Sequence, residues 1–318
     1  MRYFFKKLVS LIITLLLVSF LAFLTFQIIP GDPVTQMLGT EYTEERAEQL
    51  REQLGLDAPV PVRYIRWLGS FITGDFGTSY SYSVSVTSLL GDKFVVTGLL
   101  SLLAFLLIVG ISIPFAIWLA AHEDSILDKI FTALNQIAMS IPPFFLGIMM
   151  TLVLGLLLHL FTPGNYVSYT QDFGACLYYL LFPAIAIAIP KIAMTVKLLK
   201  SSIQTEYQRD YVRTSLSRGS TSRRVLYRHV LRNAVIPVVT FLALMIPEIV
   251  AGSIIIEQVF TVPGLGRLLI SSISNRDFPV VCAIVMVIAA LVILMNFLAD
   301  ILYRVIDPRI RVDQEALK

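Results

Sequence analysis

Residues Tyr211–Pro237 read YVRTSLSRGSTSRRVLYRHVLRNAVIP. Tyr211, Val212, Ser215 and Leu216 fall on one face of a helix, at the spacing of an amphipathic segment. Gly219 is a natural stop for that helix, because glycine takes the left-handed conformation at a C-terminus without steric penalty. Ser220, Thr221 and Ser222 then offer side-chain caps for a second helix, whose apolar stripe is Val225, Leu226 and Val230. Arg213, Arg218, Arg223, Arg224, Arg228 and Arg232 surround the two stripes. This basic helix–turn–helix cassette is bounded on both sides by chain greasy enough to cross a membrane. A soluble protein has no reason to place it there.

The rest of the 318-residue chain explains the setting. It is 56% hydrophobic and 15% charged, with mean hydropathy +0.78, whereas soluble domains carry about 25% charged residues. A helix needs about 20 apolar residues to span the hydrocarbon core. Six stretches qualify: Leu8–Ile29, Phe94–Ala121, Ile130–Leu160, Phe173–Pro190, Val235–Ile256 and Val280–Ala299. In lipid every backbone polar group must be satisfied internally, so segments of this length are helices. Leu8–Ile29 is longer than the apolar core of a signal peptide and is followed by PGDP rather than a small-residue cleavage site, so it reads as a retained span. The expected fold class is an all-α membrane protein with six transmembrane helices.

Lys and Arg placement orients the bundle. Arg2, Lys6 and Lys7 precede span one, Lys129 lies between spans two and three, and Arg304, Arg309, Arg311 and Lys318 follow span six. The connection between spans four and five carries Lys197, Lys200, Arg209 and the cassette arginines. The other side holds Arg46, Arg51, Arg63, Arg66 and Lys93 in the first loop, and Arg267 and Arg276 after span five. Both termini and the cassette are therefore expected in the cytoplasm. The expected organisation is a first span (1–30), an extracytoplasmic region with short helices (31–93), a membrane core (94–311) whose cytoplasmic loop covers about 200–234, and a tail (312–318). Within the external region, Glu44–Leu54 has helical character with Thr43 as its cap, and Tyr64–Ile72 reads as a second helix carrying Trp67 and Phe71 to the membrane interface. Arg267–Ser274 reads as a short helix near the outer surface.

The cassette by itself admits three roles. Its arginines could serve topology and anionic lipid headgroups. It could be a DNA-binding helix-turn-helix, although both ends run straight into membrane spans and a major groove would be hard to reach, which argues against a nucleic-acid partner. Or it could seat in a groove on a cytoplasmic protein and transmit movement.

The residues favour the third role through a resemblance. The cassette resembles the EAA loop of ABC-importer inner-membrane permeases, and most closely that of the dipeptide/oligopeptide/nickel permease family, the DppB/OppB-type subunit. Supporting blocks run in order along the chain: Pro30–Pro33 (PGDP), Leu54–Asp57 (LGLD), Gly74–Ser79 (GDFGTS), Asp210–Thr214 (DYVRT), Leu231–Ala234 (LRNA) with Ile236-Pro237, Glu257 with Val259-Phe260 and Pro263–Gly266 (PGLG), Asn275–Asp277 (NRD), and Asp307–Arg311 (DPRIR). Ser215 and Ser217 stand where the family usually has small alanines, and Arg218 replaces a common lysine.

The resemblance implies a type I ABC-importer permease fold with both termini inside the cell, in the cytoplasmic (inner) membrane. It implies a second, homologous permease subunit, two cytoplasmic ATPase subunits and an extracytoplasmic solute-binding protein. Tyr211, Val212, Arg213, Ser215, Leu216, Arg218, Gly219, Arg223 and Arg224 are then expected to couple to the ATPase, with Tyr211, Val212 and Leu216 giving apolar contact. The cargo implied is di- or oligopeptides, with nickel or metal chelates as the alternative. A non-transporting receptor or scaffold is the rival from another class.

No GxxxxGK[ST] phosphate loop occurs, so ATP and Mg are expected on partner subunits and no cofactor on this chain. His122, His159 and His229 are far apart, and Cys176 and Cys282 form no metal or disulfide pattern. Intramembrane ionisable residues are functional candidates by default. Glu248, with Met245 one turn before it and Asn296 in span six, is the candidate lining of the translocation pathway; Asp300 is expected to pair with Arg304. Glu257, Pro263, Gly264 and Gly266 are expected to order the outer loop, the glycines through positive φ or close packing. Pro142-Pro143 and Pro190 can kink or break their helices.

Overall fold

A backbone that cannot hydrogen-bond to solvent closes its bonds within each segment, and the computed structural model is helical accordingly. It describes residues 2–28, 33–38, 42–53 and 55–306. The helices are α1 (Arg2–Ile28), α2 (Pro33–Leu38), α3 (Glu44–Gln53), α4 (Val60–Ile72), α5 (Val86–Ala121), α6 (Ile126–Ser140), α7 (Pro143–Met150), α8 (Phe173–Tyr207), α9 (Asp210–Ser217), α10 (Ser222–Val225), α11 (Leu231–Phe260), α12 (Leu265–Ser274) and α13 (Phe278–Ile306). Wide π-type turns extend α7 over Thr151–Leu157 and join α10 to α11 over Leu226–Val230.

Five of the expected spans are continuous helices long and apolar enough to cross a membrane. The third is not one helix. It breaks between Ser140 and Pro143, and the two halves meet at 99°. The expectation of a single run over Ile130–Leu160 is corrected here. The residue before a proline is pushed out of the α region, and in the pair Pro142-Pro143 this acts twice. Ile141 takes φ −89°, ψ 123° and Pro142 takes φ −62°, ψ 140°, both extended. Pro190 has no such effect. It lies inside α8, which continues to Tyr207, so Lys197 and Lys200 belong to the helix rather than to a loop.

The chain divides into two compact units, one of residues 1–97 and 263–294, the other of 98–262 and 295–318. In the first unit, α4 lies on α1. Tyr64 shares a hydrogen bond with Ser19 (2.8 Å), and its ring stands edge-on to Phe20 and Phe23, each at 5.5 Å. Trp67, Phe71 and Phe76 continue the aromatic row. These rings pack on one another and on α1. Thr43 caps α3 as expected, accepting from Arg46 N at 3.4 Å.

The core of this unit is Val86, Leu90, Leu265, Leu268, Val280, Ala283 and Ile284. Beside it Asp277 is fully buried. Its carboxylate accepts from Ser79 Oγ (2.5 Å), Tyr80 N (3.1 Å) and Ser81 N (3.2 Å), while its backbone carbonyl accepts the first helical bond of α13, from Val281 N. One acid thus fastens the GDFGTS block to the NRD block. Of the outer-loop residues, Gly264 has φ −100° and caps α12, and neither it nor Gly266 takes positive φ; both are buried. The expected left-handed glycine is instead Thr261, at φ 59°. Pro263 is half-buried. Leu54, Pro30–Asp32, the Arg304 side chain and Asp307–Arg311 lie outside the described residues.

In the second unit α8 is the central post, with α6, α7 and α11 packed around it. Lys200 of α8 meets Asp128 of α6 at 2.5 Å, the two side chains 15% and 9% exposed. Phe161, Phe182 and Phe260 stack toward the other end of α8, and Tyr179 donates to the carbonyl of Phe260.

Candidate coupling surface

Helix α8 ends at Tyr207, and α9 starts three residues later with Asp210 in its first turn, where a negative charge favours the helix dipole. Helix α9 closes at Arg218, and Gly219 turns the chain at φ +84°. A Cβ there would meet no atom within 4 Å, so the requirement for glycine is conformational rather than steric crowding. Thr221 starts the next helix: its hydroxyl accepts from Arg224 N at 3.4 Å. From Ser222 the helical path runs through the π turn directly into α11 and on to Phe260. π turns inside helices are frequent at functional sites. The second arm of the cassette is therefore an extension of a membrane span.

The inner face of the cassette is apolar and closed. Val212, Val225 and Val230 are at most 1% exposed, and Leu226 is also buried. Val212, expected to contribute apolar contact to a partner, is thus consumed by packing within its own chain, and it fastens α9 down. Tyr211 and Leu216 keep about two-fifths of their surface open. Tyr227 is open as well.

A polar knot ties the cassette to both flanking helices. Tyr211 Oη donates to Glu206 Oε2 at 2.5 Å, and Asn233 Nδ2 reaches the same carboxylate oxygen at 3.5 Å and Tyr211 Oη at 3.3 Å. Partial burial, then the bond to Glu206, raise the Tyr211 phenol above its ordinary pKa, so it remains a donor at neutral pH. Glu206 lies at the end of α8 and Asn233 at the start of α11. Nothing in the sequence points to Glu206: it is a lone acid five residues before Tyr211, and only the fold brings it to Asn233.

The outer face is cationic. Arg213, Arg218, Arg223 and Arg224 are exposed, and Ser215 is half-buried between them. Among the described residues none of these four arginines has an acid within ion-pair distance. A cleft of about 960 Å³ opens beside the second arm, lined among others by Trp118, His122, Glu123, Arg223 and Tyr227.

The remaining expected site residues lie elsewhere. Glu248 on α11 is exposed and pairs with Lys191 of α8. Met245, one turn away, is 2% exposed, with its sulfur 3.9 Å from Thr195 Oγ1; its side chain packs between α8 and α11 rather than facing a cavity. Asn296 is exposed on α13. Glu257 is fully buried near the end of α11, where Ser253 Oγ donates to it at 3.4 Å.

Comparison with known proteins adds the context. Residues 112–312 match the family model described as binding-protein-dependent transport system inner membrane component. Residues 1–101 match the model of the N-terminal part of such membrane components. The chain is 36% identical to the oligopeptide transport system permease protein AppB of Bacillus subtilis, over 97% of this chain and 98% of that one. It is 31% identical to a probable peptide ABC transporter permease protein of Sinorhizobium fredii, over 97% and 99%. It is 33% identical to a putative peptide transport system permease protein of Brucella abortus, over 97% and 98%.

Proposed function

The chain belongs to the family of binding-protein-dependent transport system inner membrane components, and from that premise we propose that it is the permease subunit of an ATP-driven importer, forming half of a translocation pathway for peptides. It is a multi-pass inner-membrane protein. The names of the three relatives above, peptide or oligopeptide permeases, support peptides over nickel or metal chelates as cargo.

The observation that carries the reading is the two-faced cassette: an apolar inner face sealed against its own chain, and an outer face of exposed arginines with no acid within ion-pair distance among the described residues. Exposed arginines of this kind suit charge-assisted hydrogen bonds to another protein. In this reading ATP and Mg bind to two separate ATPase subunits, and this chain hydrolyses nothing. A homologous permease completes the pathway, and a solute-binding protein delivers cargo from outside. The arginine bias places the cassette and both termini in the cytoplasm.

Closure of the ATPases pushes on Tyr211, Leu216 and the arginines. Because Val212, Val225 and Leu226 are packed and Glu206, Tyr211 and Asn233 are bonded, α9 and α10 cannot slide independently. The push reaches α8 through Glu206 and α11 through the continuous helical path from Ser222. The two spans tilt, and access alternates. Glu257, Pro263, Gly264 and Gly266 order the outer loop.

The test is ATP-dependent peptide uptake by the reconstituted transporter, together with copurification of the ATPases. Gly219→Arg forces a side chain into left-handed backbone at the turn. It is expected to abolish uptake and weaken ATPase association; retention of both at wild-type levels would falsify the coupling role. A receptor or scaffold, the rival reading, would show association without ATP-dependent uptake.

A further inference from the structure

Helix α8 carries two lysines that reach an acid on a neighbouring helix, and the two pairs differ in a telling way. Lys200 and Asp128 are both largely hidden, as a structural pair should be. Lys191 Nζ lies 2.8 Å from Glu248 Oε2, and there the lysine is 12% exposed while the glutamate is 67% exposed. Both residues sit near the middle of long apolar helices. Within two turns of the pair on the same helices, the exposed large apolar side chains are Leu244 and Ile255 on α11, and Met194 on α8.

An ionised group facing hydrocarbon is expensive, and a half-compensated one remains so. Among the described residues Oε1 of Glu248 has no hydrogen-bond partner, and the ammonium of Lys191 spends one donor of three on Oε2. This face must therefore meet something polar. A permanent contact with another subunit would need no internal lysine to hold the acid. A transient one would: when the visitor leaves, Lys191 keeps the carboxylate aimed and prevents it from being left alone.

We propose that Glu248 is a substrate-contacting residue of the translocation pathway that binds the ammonium group of the passing peptide, with Lys191 as its positioning residue. This rests on the importer reading above and gives that pathway its first named contact. An α-ammonium is the cation common to peptides with free N-termini, so one carboxylate serves cargo of many side chains. The bond is charge-assisted, and the resting ion pair reforms after release with no charge stranded.

The experiment uses the complete transporter in proteoliposomes, with tri-alanine as the probe, and reads ATP-dependent uptake, ATPase copurification and basal ATP hydrolysis. Glu248→Gln is expected to lower uptake by roughly ten- to a hundred-fold, the loss typical of one hydrogen bond to a charged group, with copurification and basal hydrolysis kept. The reversed pair, Lys191→Glu with Glu248→Lys, is expected to keep assembly and still fail in uptake, because the exposed prong then repels an ammonium. Wild-type uptake by Glu248→Gln, or restoration of uptake by the reversed pair, overturns the proposal and leaves a structural ion pair. Loss of assembly in both variants overturns it too, since the pair is then a packing or subunit contact. If the wild-type transporter itself takes up no tri-alanine with ATP, the peptide reading beneath the proposal fails, and that outcome is separate from any variant.

Discussion

The cassette around Gly219 and the seat of Asp277 both join two stretches of chain through polar groups, yet they are built in opposite ways. At the seat one buried acid satisfies three donors and nothing is left for an outsider. At the cassette the polar knot is exposed, its bonds run from 2.5 to 3.5 Å, and among the described residues the four exposed arginines outside it have no acid within ion-pair distance. A buried, satisfied group rigidifies its surroundings and is costly to disturb. An exposed cation without a partner contributes little to its own fold and remains available to another protein. The difference separates residues that hold this molecule together from residues that we propose connect it to an ATPase.

The comparison predicts a graded set of outcomes. The largest stability loss is expected for Asp277→Ala, which orphans the buried Ser79 Oγ at about 1–3 kcal/mol and takes the acceptor from the part-buried N–H groups of Tyr80 and Ser81. Thermal unfolding in detergent should show a marked drop, and a melting temperature equal to wild type would remove the seat from the account. Gly219→Ala is expected to cost roughly 1–2 kcal/mol through left-handed strain, with uptake falling more than stability does. Thr221→Ala removes a cap worth about 1 kcal/mol; it should loosen the second arm, seen as faster amide exchange over 222–226, and unchanged exchange there would count against the cap. The smallest stability effect belongs to Arg213, Arg218, Arg223 and Arg224, each within about 0.5 kcal/mol on change to Ala. The same four substitutions together should cost the most ATPase affinity. If they lowered the melting temperature as far as Asp277→Ala does, the contrast between the two regions would collapse.

Local features of this chain were legible in its sequence to the extent that their causes are local. The spans follow from apolar length, the two cassette helices from spacing, and their caps from Gly219 and Thr221, each of which acts on backbone a few residues away. The double proline marked a weak point in span three, but prolines alone do not distinguish a kink from a break: Pro190 sits in an unbroken helix while Pro142-Pro143 turns the chain by 99°. The adjacent pair differs because it restricts two successive residues.

What the cassette touches was less legible. Val212 and Leu216 look alike on a helical wheel, and only packing buries the first and leaves the second open. Lys191 and Lys200 have the same sequence character, and only their neighbours across the helix interface make one pair closed and the other exposed. Asp277 is an ordinary acid in a turn until the fold brings Ser79–Ser81 to it from almost 200 positions away.

The sequence by itself determined that the chain is a helical membrane protein with a basic helix–turn–helix cassette between two spans, because apolar length, charge placement and capping chemistry act over one helix or less. The tertiary structure decided which of those residues face inward, which acids are satisfied, and which charges stay exposed. Those outcomes depend on contacts between segments far apart in the chain, and no periodicity records them.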